Sequence, residues 1–242
     1  MPRPGGASSA YLIRSESTAL LLDIGSGAVA KLQLAMEYCE LDGIVVSHMH
    51  ADHFFDLVPL RYGLKYGERR RERRLPVWLP PGGRRALDAL RKAVSKDAPD
   101  DFFDTTFEIS EYEPAETLQV KELSLRFCRT LHYVEAYAVR VESGKRSITY
   151  SADTAPCESV VEHARGSSVF LCEAALGLGT EEGERGHSSA REAGEMARDA
   201  RVGQLILTHY PAHDSASALV AAAQNAFTGR VSAADDGLEV SV

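Results

Sequence analysis

The sequence predicts a single α/β domain over residues 1–242, in which two mixed sheets pack face to face with helices outside them, an αββα arrangement. Two observations support this class. In each half of the chain a group of strands comes first, and helix–strand units follow it. The chain also shows no short repeat and no low-complexity linker. The order of elements by itself leaves other α/β folds open.

The first half opens with two apolar runs, residues 11–13 and 19–23, which predict strands joined by a polar turn. Apolar residues at helical spacing then predict a helix over residues 29–38. Residues 43–47 are apolar and rich in β-branched side chains, which is typical of a strand buried on both faces. The other elements expected in this half are a helix over 54–66, a strand at 77–79 and a helix over 84–95.

The second half opens with five predicted strands, at residues 106–109, 117–120, 123–130, 137–142 and 147–151. The turn Ser143-Gly144-Lys145-Arg146 joins the last two strands as a hairpin. Ser189 and Glu192 have the spacing of a capping box, so a helix should begin there and run to Ala200. The other elements expected are a helix over 157–165, strands at 168–172 and 204–208, a helix over 215–227, and two short strands that finish the chain.

Composition narrows the class of protein. No run approaches the roughly 20 apolar residues of a membrane span, and the first residues have no apolar signal-peptide core, so we expect a cytoplasmic protein that does not bind membranes. The net charge of −8 argues against long nucleic acid as a partner. The basic run from Arg69 to Arg74 is a local exception, which is either a solvated loop face or an anion-collecting rim beside the active site.

The four cysteines, Cys39, Cys128, Cys157 and Cys172, are widely spaced and form no C-x-x-C pair. This spacing favours buried free thiols over a cysteine-based structural zinc site.

The segment His48-Met49-His50-Ala51-Asp52-His53 directly follows the predicted strand 43–47. Three histidines and an aspartate within six residues cannot all enter a core, because buried polar groups are costly unless they are satisfied. A tight loop at a strand end can direct such side chains at two neighbouring points. Imidazole nitrogen and carboxylate oxygen suit zinc, and also manganese or iron. The segment therefore predicts a metal site rather than a polar surface turn.

This H-x-H-x-D-H segment, preceded by Leu21-Leu22-Asp23-Ile24-Gly25, resembles the signature of the metallo-β-lactamase superfamily. Further marks of the superfamily follow in the same order, each at the end of a predicted strand: Leu131-His132, Tyr150-Ser151-Ala152-Asp153-Thr154 and Leu207-Thr208-His209-Tyr210. The resemblance covers nearly the whole chain. It implies the four-layer αββα sandwich of two mixed sheets that is characteristic of the superfamily.

The resemblance also implies two divalent metal ions, zinc in the first place and manganese or iron as alternatives. The first ion would be held by His48, His50 and His132, and the second by Asp52, His53 and His209. Asp153 would bridge the two ions. Asp23 would orient the loop without binding metal.

Two later segments, Leu171-Cys172-Glu173-Ala174 and Gly186-His187-Ser188-Ser189-Ala190-Arg191-Glu192-Ala193-Gly194, resemble the tRNase-Z-like branch, in which the glutamate and this histidine act as a pair beside the metals. His187 stands just before a predicted helix, where free N–H groups and the dipole favour an anion. A protonated His187 could contact a phosphate and donate a proton to the leaving oxygen. Glu173 could hold its ring and raise its pKa.

Within this branch the chain is most similar to small bacterial RNase-Z-like proteins that include cyclic-nucleotide phosphodiesterases, whose early Gly/Ser-rich loop matches Pro4 to Leu12. The implied activity is hydrolysis of a small anionic phosphodiester, such as a cyclic nucleotide, by a hydroxide that bridges the metals. Asp52 and Asp153 would orient the hydroxide. The loop from Gly177 to Gly186 is either a lid over the site or a plain surface loop.

Other functions stay open. The same metal set would serve a hydrolase of lactones, thioesters or β-lactams, although the Glu173 and His187 pair favours phosphodiesters. A tRNase-Z-like ribonuclease is a second alternative, against which stands the absence of a visible substrate-gripping arm. A non-catalytic binding module is a third, and the complete ligand set argues against it.

Two further expectations concern assembly and the start of the chain. Homodimers are common among these similar proteins, and the apolar segment from Phe54 to Tyr66 could serve an interface. The similar proteins begin with a strand and a glycine turn upstream of Pro4, and we expect that first edge strand to be missing here.

Overall fold

The computed structural model describes residues 4–69, 71–94 and 97–242, and the chain divides into two compact units. The N-terminal unit comprises Gly5–Glu113 and Val120–Glu122. The C-terminal unit comprises Pro114–Gln119 and Leu123–Val242, together with Pro4. The prediction of one domain over residues 1–242 stays a prediction.

The N-terminal unit is built on a five-stranded sheet with the order β1-β2-β3-β4-β5. β1 and β2 run antiparallel, and the pairs from β2 to β5 run parallel, so the sheet is mixed as expected. The strands are β1 Tyr11–Arg14, β2 Ala19–Leu22, β3 Gly43–Val45, β4 Leu75–Leu79 and β5 Phe107–Glu111. The helices are α1 Ala28–Ala35, α2 Ala51–Phe54, α3 Leu57–Tyr66 and α4 Gly83–Val94, with a 3₁₀ turn at Tyr38–Glu40.

The predicted helix over residues 54–66 is wrong in one respect, because the segment forms two helices that break at Phe55 and Asp56. The reason is a pair of long-range hydrogen bonds. The side chain of buried Asp56 accepts from the amide of Val29 at 2.9 Å, and its own amide donates to the carbonyl of Ile24 at 3.1 Å. These tertiary contacts override the helical pattern. The predicted helix over 84–95 is confirmed to Val94, and Ser95 lies outside the described residues.

The second sheet has seven strands in the order β12-β11-β10-β9-β8-β7-β6 and is also mixed. β9 to β12 run parallel, whereas β7, β8 and β9 pair antiparallel. The strands are β6 Leu118–Val120, β7 Leu123–Arg129, β8 Tyr137–Ser143, β9 Arg146–Tyr150, β10 Val169–Glu173, β11 Gln204–Thr208 and β12 Arg230–Ala233. The helices are α5 Glu158–Ala164, α6 Ala190–Asp199 and α7 Ala216–Gln224.

The end of the chain differs from the prediction of two strands. β12 is present, but residues 234–242 contain no strand. A turn interrupts them, in which the amide of Leu238 donates to the carbonyl of Asp235 at 2.9 Å and Gly237 has a φ of 80°. Glycine tolerates this left-handed conformation, and an extended strand cannot pass through it. No helix in the described part of the chain has the length and apolar character needed to cross a bilayer.

The capping box predicted from Ser189 and Glu192 is confirmed. The Ser189 side chain accepts from the amide of Glu192, and the Glu192 carboxylate accepts from the amide of Ser189 at 2.9 Å. α6 packs closely on α7 through Gly194. A Cβ at this position would lie 2.4 Å from the carbonyl oxygen of Ala223. The glycine therefore permits a close approach of the two helices.

Gly194→Ala tests this approach. Alanine favours a helix over glycine by roughly 1 kcal/mol, but its methyl group would clash with the backbone of α7. We expect a net loss of about 1–3 kcal/mol in the free energy of unfolding, which is typical of overpacking. Urea unfolding measures it, with Arg191→Ala on the exposed side of α6 as the control. A Gly194→Ala protein as stable as the wild type would contradict the packing argument.

Candidate metal centre

Four predicted ligands of the N-terminal unit lie between the end of β3 and the end of α2. His48 and His53 are fully buried, while His50 and Asp52 are partly exposed. The ring of His48 lies 4.9 Å from that of His50 and 4.0 Å from that of His53, between centroids. Nε2 of His53 lies 3.8 Å from Oδ2 of Asp52. The loop after β3 and the short helix α2 thus bring the four side chains together.

Asp23 organises this group from the end of β2. One carboxylate oxygen accepts from the amide of Ser47 at 2.7 Å, and the other accepts from the Ser47 hydroxyl and from Nδ1 of His53, each at 2.8 Å. Because the Ser47 hydroxyl donates to Asp23, it can accept from Nδ1 of His48, which lies 3.0 Å away. Both histidines therefore have Nδ1 engaged and offer Nε2 to a metal, the arrangement in which outer partners orient ligating rings.

Gly25, in the same Leu21–Gly25 segment, is needed because the ligand loop approaches the backbone closely. A Cβ at Gly25 would lie 1.9 Å from the carbonyl oxygen of Asp52. The neighbouring amide of Ile24 donates to the carbonyl of His53 at 2.7 Å. The glycine thus lets the end of β2 bond directly to the ligand loop.

Strand ends in the C-terminal unit carry the other predicted ligands. His132 follows β7, Asp153 follows β9 and His209 follows β11. Five non-glycine residues of the described chain have positive φ, and three of them lie at strand ends that carry either Asp23 or a predicted ligand: Asp23, Ala152 and His209. Such sparsely populated backbone conformations persist where the surrounding structure holds them, often at functional sites.

The predicted ligands of the C-terminal unit converge on Asp153, which is 2% exposed. Its carboxylate oxygens lie 3.9 Å from Nε2 of His132 and 3.7 Å from Nδ1 of His209. Donor atoms of Asp153, His187 and His209 all lie within 4.8 Å of one another. Nδ1 of His132 donates to the carbonyl of Gly186 at 2.8 Å, so its Nε2 faces Asp153. This cluster of histidines and an aspartate is suited to a divalent metal ion.

The predicted pair of Glu173 and His187 is present. Nδ1 of His187 donates to the fully buried carboxylate of Glu173 at 2.8 Å. That carboxylate also accepts from the amides of Thr154 at 2.9 Å and Ala175 at 2.7 Å, which fixes it at the end of β10. Burial raises the pKa of Glu173, and this effect outweighs the hydrogen bond with His187, which acts to lower the pKa. Burial acts to lower the pKa of His187, but the hydrogen bond and charge of Glu173 outweigh it, so this pKa is raised.

Two residues that sequence reasoning missed lie beside this pair. The ring of Tyr133 is 5.1 Å from that of His132 and 5.6 Å from that of His187, and its hydroxyl donates to Glu181. This hydrogen bond raises the pKa of Tyr133 to about 12. The one signal available in the sequence was the position of Tyr133 directly after His132. Glu181 lies in an irregular loop, and nothing in the sequence marked it.

The basic run from Arg69 to Arg74 makes contacts within the N-terminal unit. Arg71 donates to the carbonyls of Cys39 and Leu41 at 2.5 and 2.6 Å, and Arg74 donates to the carbonyl of Asp104 at 3.3 Å. These two side chains therefore fasten their loop to the fold. Arg70 lies outside the described residues.

Comparison with known proteins shows which family the chain resembles. A family model described as a β-lactamase superfamily domain matches residues 19–210. The chain is 29% identical over 238 residues to the probable metallo-hydrolase YhfI of Bacillus subtilis, covering 98% of this chain and 93% of that protein. It is 26% identical over 261 residues to a ribonuclease Z of Lachnoclostridium phytofermentans, covering 87% and 84% of the two chains.

Solved structures show the same fold. The crystal structure of YhfI from Bacillus subtilis, a metallo-β-lactamase fold protein, matches with a TM-score of 0.85 and 26% identity, covering 98% of this chain and 93% of that one. The short form of human tRNase Z matches with a TM-score of 0.74 at 19% identity, covering 99% and 94%. The predicted fold class, with its two mixed sheets and helices, is confirmed.

Asp23→Asn tests the orienting network. The side-chain amide of asparagine would turn one acceptor oxygen into an N–H₂ donor. That group would face one of the donors to Asp23, which are the amide and hydroxyl of Ser47 and Nδ1 of His53. We expect zinc affinity to fall by roughly 10- to 100-fold, the usual cost of losing an outer partner of a ligand. Competition with a chromophoric chelator measures it, and Asp88→Asn on α4 is the control. Unchanged affinity in Asp23→Asn would show that the rings keep their orientation without this carboxylate.

Proposed function

Because the chain belongs to the β-lactamase superfamily and has the metallo-β-lactamase fold, we propose that it is a metal-dependent phosphodiesterase acting on a small anionic phosphodiester such as a cyclic nucleotide. The observation that carries the proposal is the hydrogen bond between Glu173 and His187 beside the donor atoms of Asp153 and His209. This pair can supply a proton to a leaving oxygen, as a general acid does.

The predicted ligands would hold two divalent ions, zinc first, with manganese or iron as alternatives. His48, His50 and His132 would bind one ion, Asp52, His53 and His209 the other, and Asp153 both. The residues fit this task because His48, His53 and His132 each have Nδ1 engaged by a neighbouring acceptor. When bound, the ions would lower the pKa of water toward about 7 and neutralise charge on the phosphate.

The side chains of the protein would divide the remaining tasks. Asp52 and Asp153 would accept hydrogen bonds from the attacking water and orient it toward phosphorus. His187 would donate its proton to the leaving alkoxide oxygen. Glu173 would keep the His187 ring in place and favour its protonated form, because its carboxylate accepts from Nδ1 of His187 at 2.8 Å.

Two observations support phosphorus chemistry on a small substrate. The chain is similar to a ribonuclease Z, which supports its place in the tRNase-Z-like branch. The name of that protein refers to the cleavage of RNA, which is a phosphodiester polymer. The net charge of −8 opposes a long polyanion, while metal ions would provide local positive charge for a small one.

The direct test is hydrolysis of bis-p-nitrophenyl phosphate by protein loaded with zinc or manganese. We expect a metal-dependent rate that falls by roughly 100-fold or more in Asp52→Ala, because that carboxylate would both bind metal and orient water. Asp88→Ala is the control. If wild-type protein that holds two metals shows no turnover, the phosphodiesterase proposal is wrong. Lactones and thioesters would then be assayed.

His187→Ala tests the proton donor through the leaving group. The weakly basic p-nitrophenolate needs little protonation to depart, whereas the alkoxide of a cyclic nucleotide needs it. We expect hydrolysis of a cyclic nucleotide to fall by roughly 10²- to 10⁴-fold and that of the nitrophenyl ester far less. Exposed His213 supplies the control, His213→Ala. Equal losses on both substrates would show that His187 positions the site and does not donate the proton.

A further inference from the structure

We propose that Tyr133 and Glu181 are positioning residues, which form a clamp that fixes the loop of residues 177–186 and thereby the orientation of His132 and His187. We call these two residues the Tyr133–Glu181 clamp. The inference rests on the proposed function in one respect, since it takes His132 as a metal ligand and His187 as the proton donor.

Glu181 is the centre of the clamp. Its Oε2 accepts from the amide of Gly186 at 2.9 Å and from the amide of His187 at 3.2 Å. Its Oε1 accepts from the Tyr133 hydroxyl. A single carboxylate thus binds two consecutive backbone N–H groups and a phenol. Charge-assisted hydrogen bonds of this kind are stronger than neutral ones, so they can hold a loop that has no regular structure.

The clamp reaches His132 through Gly186. The amide of Gly186 donates to Glu181, and its carbonyl accepts from Nδ1 of His132 at 2.8 Å. This carbonyl selects the tautomer of His132 and points its Nε2 toward Asp153. If the Gly186 peptide moved, His132 would lose the partner that sets its ring. Glu181 therefore acts on a predicted metal ligand through one peptide unit.

The clamp reaches His187 through the next amide. Glu173 holds the His187 ring through Nδ1, and Glu181 holds its backbone N–H. The residue is therefore fixed at both ends, by carboxylates on two different segments. Because both the backbone and the ring of His187 are held, the ring can move less than it could with the Glu173 contact alone. Catalysis depends on such precise placement of the reacting groups.

The ring of Tyr133 packs against Gly186, which has room for it because it lacks a side chain. A Cβ at Gly186 would lie 2.4 Å from Cε2 of Tyr133. The ring is 46% exposed, yet it lies close to both His132 and His187. The Tyr133 hydroxyl therefore reaches Glu181 across the loop, and the ring packs beside His132 and His187.

The first readout is hydrogen exchange at the amides of Gly186 and His187, measured by mass spectrometry of the peptide that contains them. In Glu181→Ala both amides lose their acceptor, and we expect exchange to accelerate by about 10-fold or more. Glu182→Ala, at an exposed neighbour in the same loop, is the matched control and should exchange at the wild-type rate. Unchanged exchange in Glu181→Ala would overturn the clamp.

The second readout is zinc affinity, measured by competition with a chelator. We expect Glu181→Ala to weaken zinc binding by roughly 10-fold, the lower part of the range seen when an outer partner of a metal ligand is lost. Tyr133→Phe keeps the ring and removes the hydroxyl, so it should show a smaller change in the same direction. Wild-type affinity in both variants would show that the clamp does not orient His132.

These readouts need no substrate, which separates the clamp from the proposed activity. If wild-type protein binds zinc but hydrolyses no phosphodiester, the proposed function fails while exchange and affinity still decide the clamp. If Glu181→Ala does not fold, Tyr133→Phe decides in its place, since the loss of one exposed hydroxyl leaves the fold intact. Faster exchange and weaker zinc binding in Tyr133→Phe would then support the clamp, and wild-type values would refute it.

Discussion

The candidate metal ligands of the N-terminal unit depend on one buried carboxylate. Asp23 accepts three hydrogen bonds at the end of β2, from the amide and hydroxyl of Ser47 and from His53. A buried charge is tolerated only when such partners compensate for lost hydration. The hydrogen bonds that compensate for the burial of Asp23 also link β2 to the loop after β3. The stability of this part of the fold and the orientation of the candidate metal ligands therefore depend on the same hydrogen bonds.

The sequence pointed to candidate ligands more readily than to the residues that support them. Candidate ligands such as His48 and Asp153 were recognisable because these residues and their order at strand ends resemble a family signature. The break between α2 and α3 was not, because the bonds of Asp56 to Val29 and Ile24 join segments far apart in the chain. Periodicity reports which face of a helix is apolar, and it does not report a tertiary acceptor.

The same reasoning explains why Glu181 escaped notice. Its contacts with Tyr133 and Gly186 arise from the path of an irregular loop, which has no periodic pattern to reveal it. Glu173 was found because a family motif marks it, although its partners His187 and Thr154 lie 14 and 19 residues away in the chain. A side chain that contacts the backbone of other residues does not require those residues to be of a particular type, so the contact leaves little signal in the sequence. They become visible when the path of the loop is known.

The capping box of α6 has a consequence for motion. Glu192 caps the helix through Ser189, and the same carboxylate accepts from Arg185 at 2.8 and 3.0 Å. The end of the 177–186 loop and the first turn of α6 thus share one anionic group. Displacing Arg185 removes part of what holds Glu192, and fraying of the helix start releases Arg185. Movement of the loop end and fraying of the helix start are therefore coupled, because either motion removes a hydrogen-bond partner that Glu192 shares between the two segments.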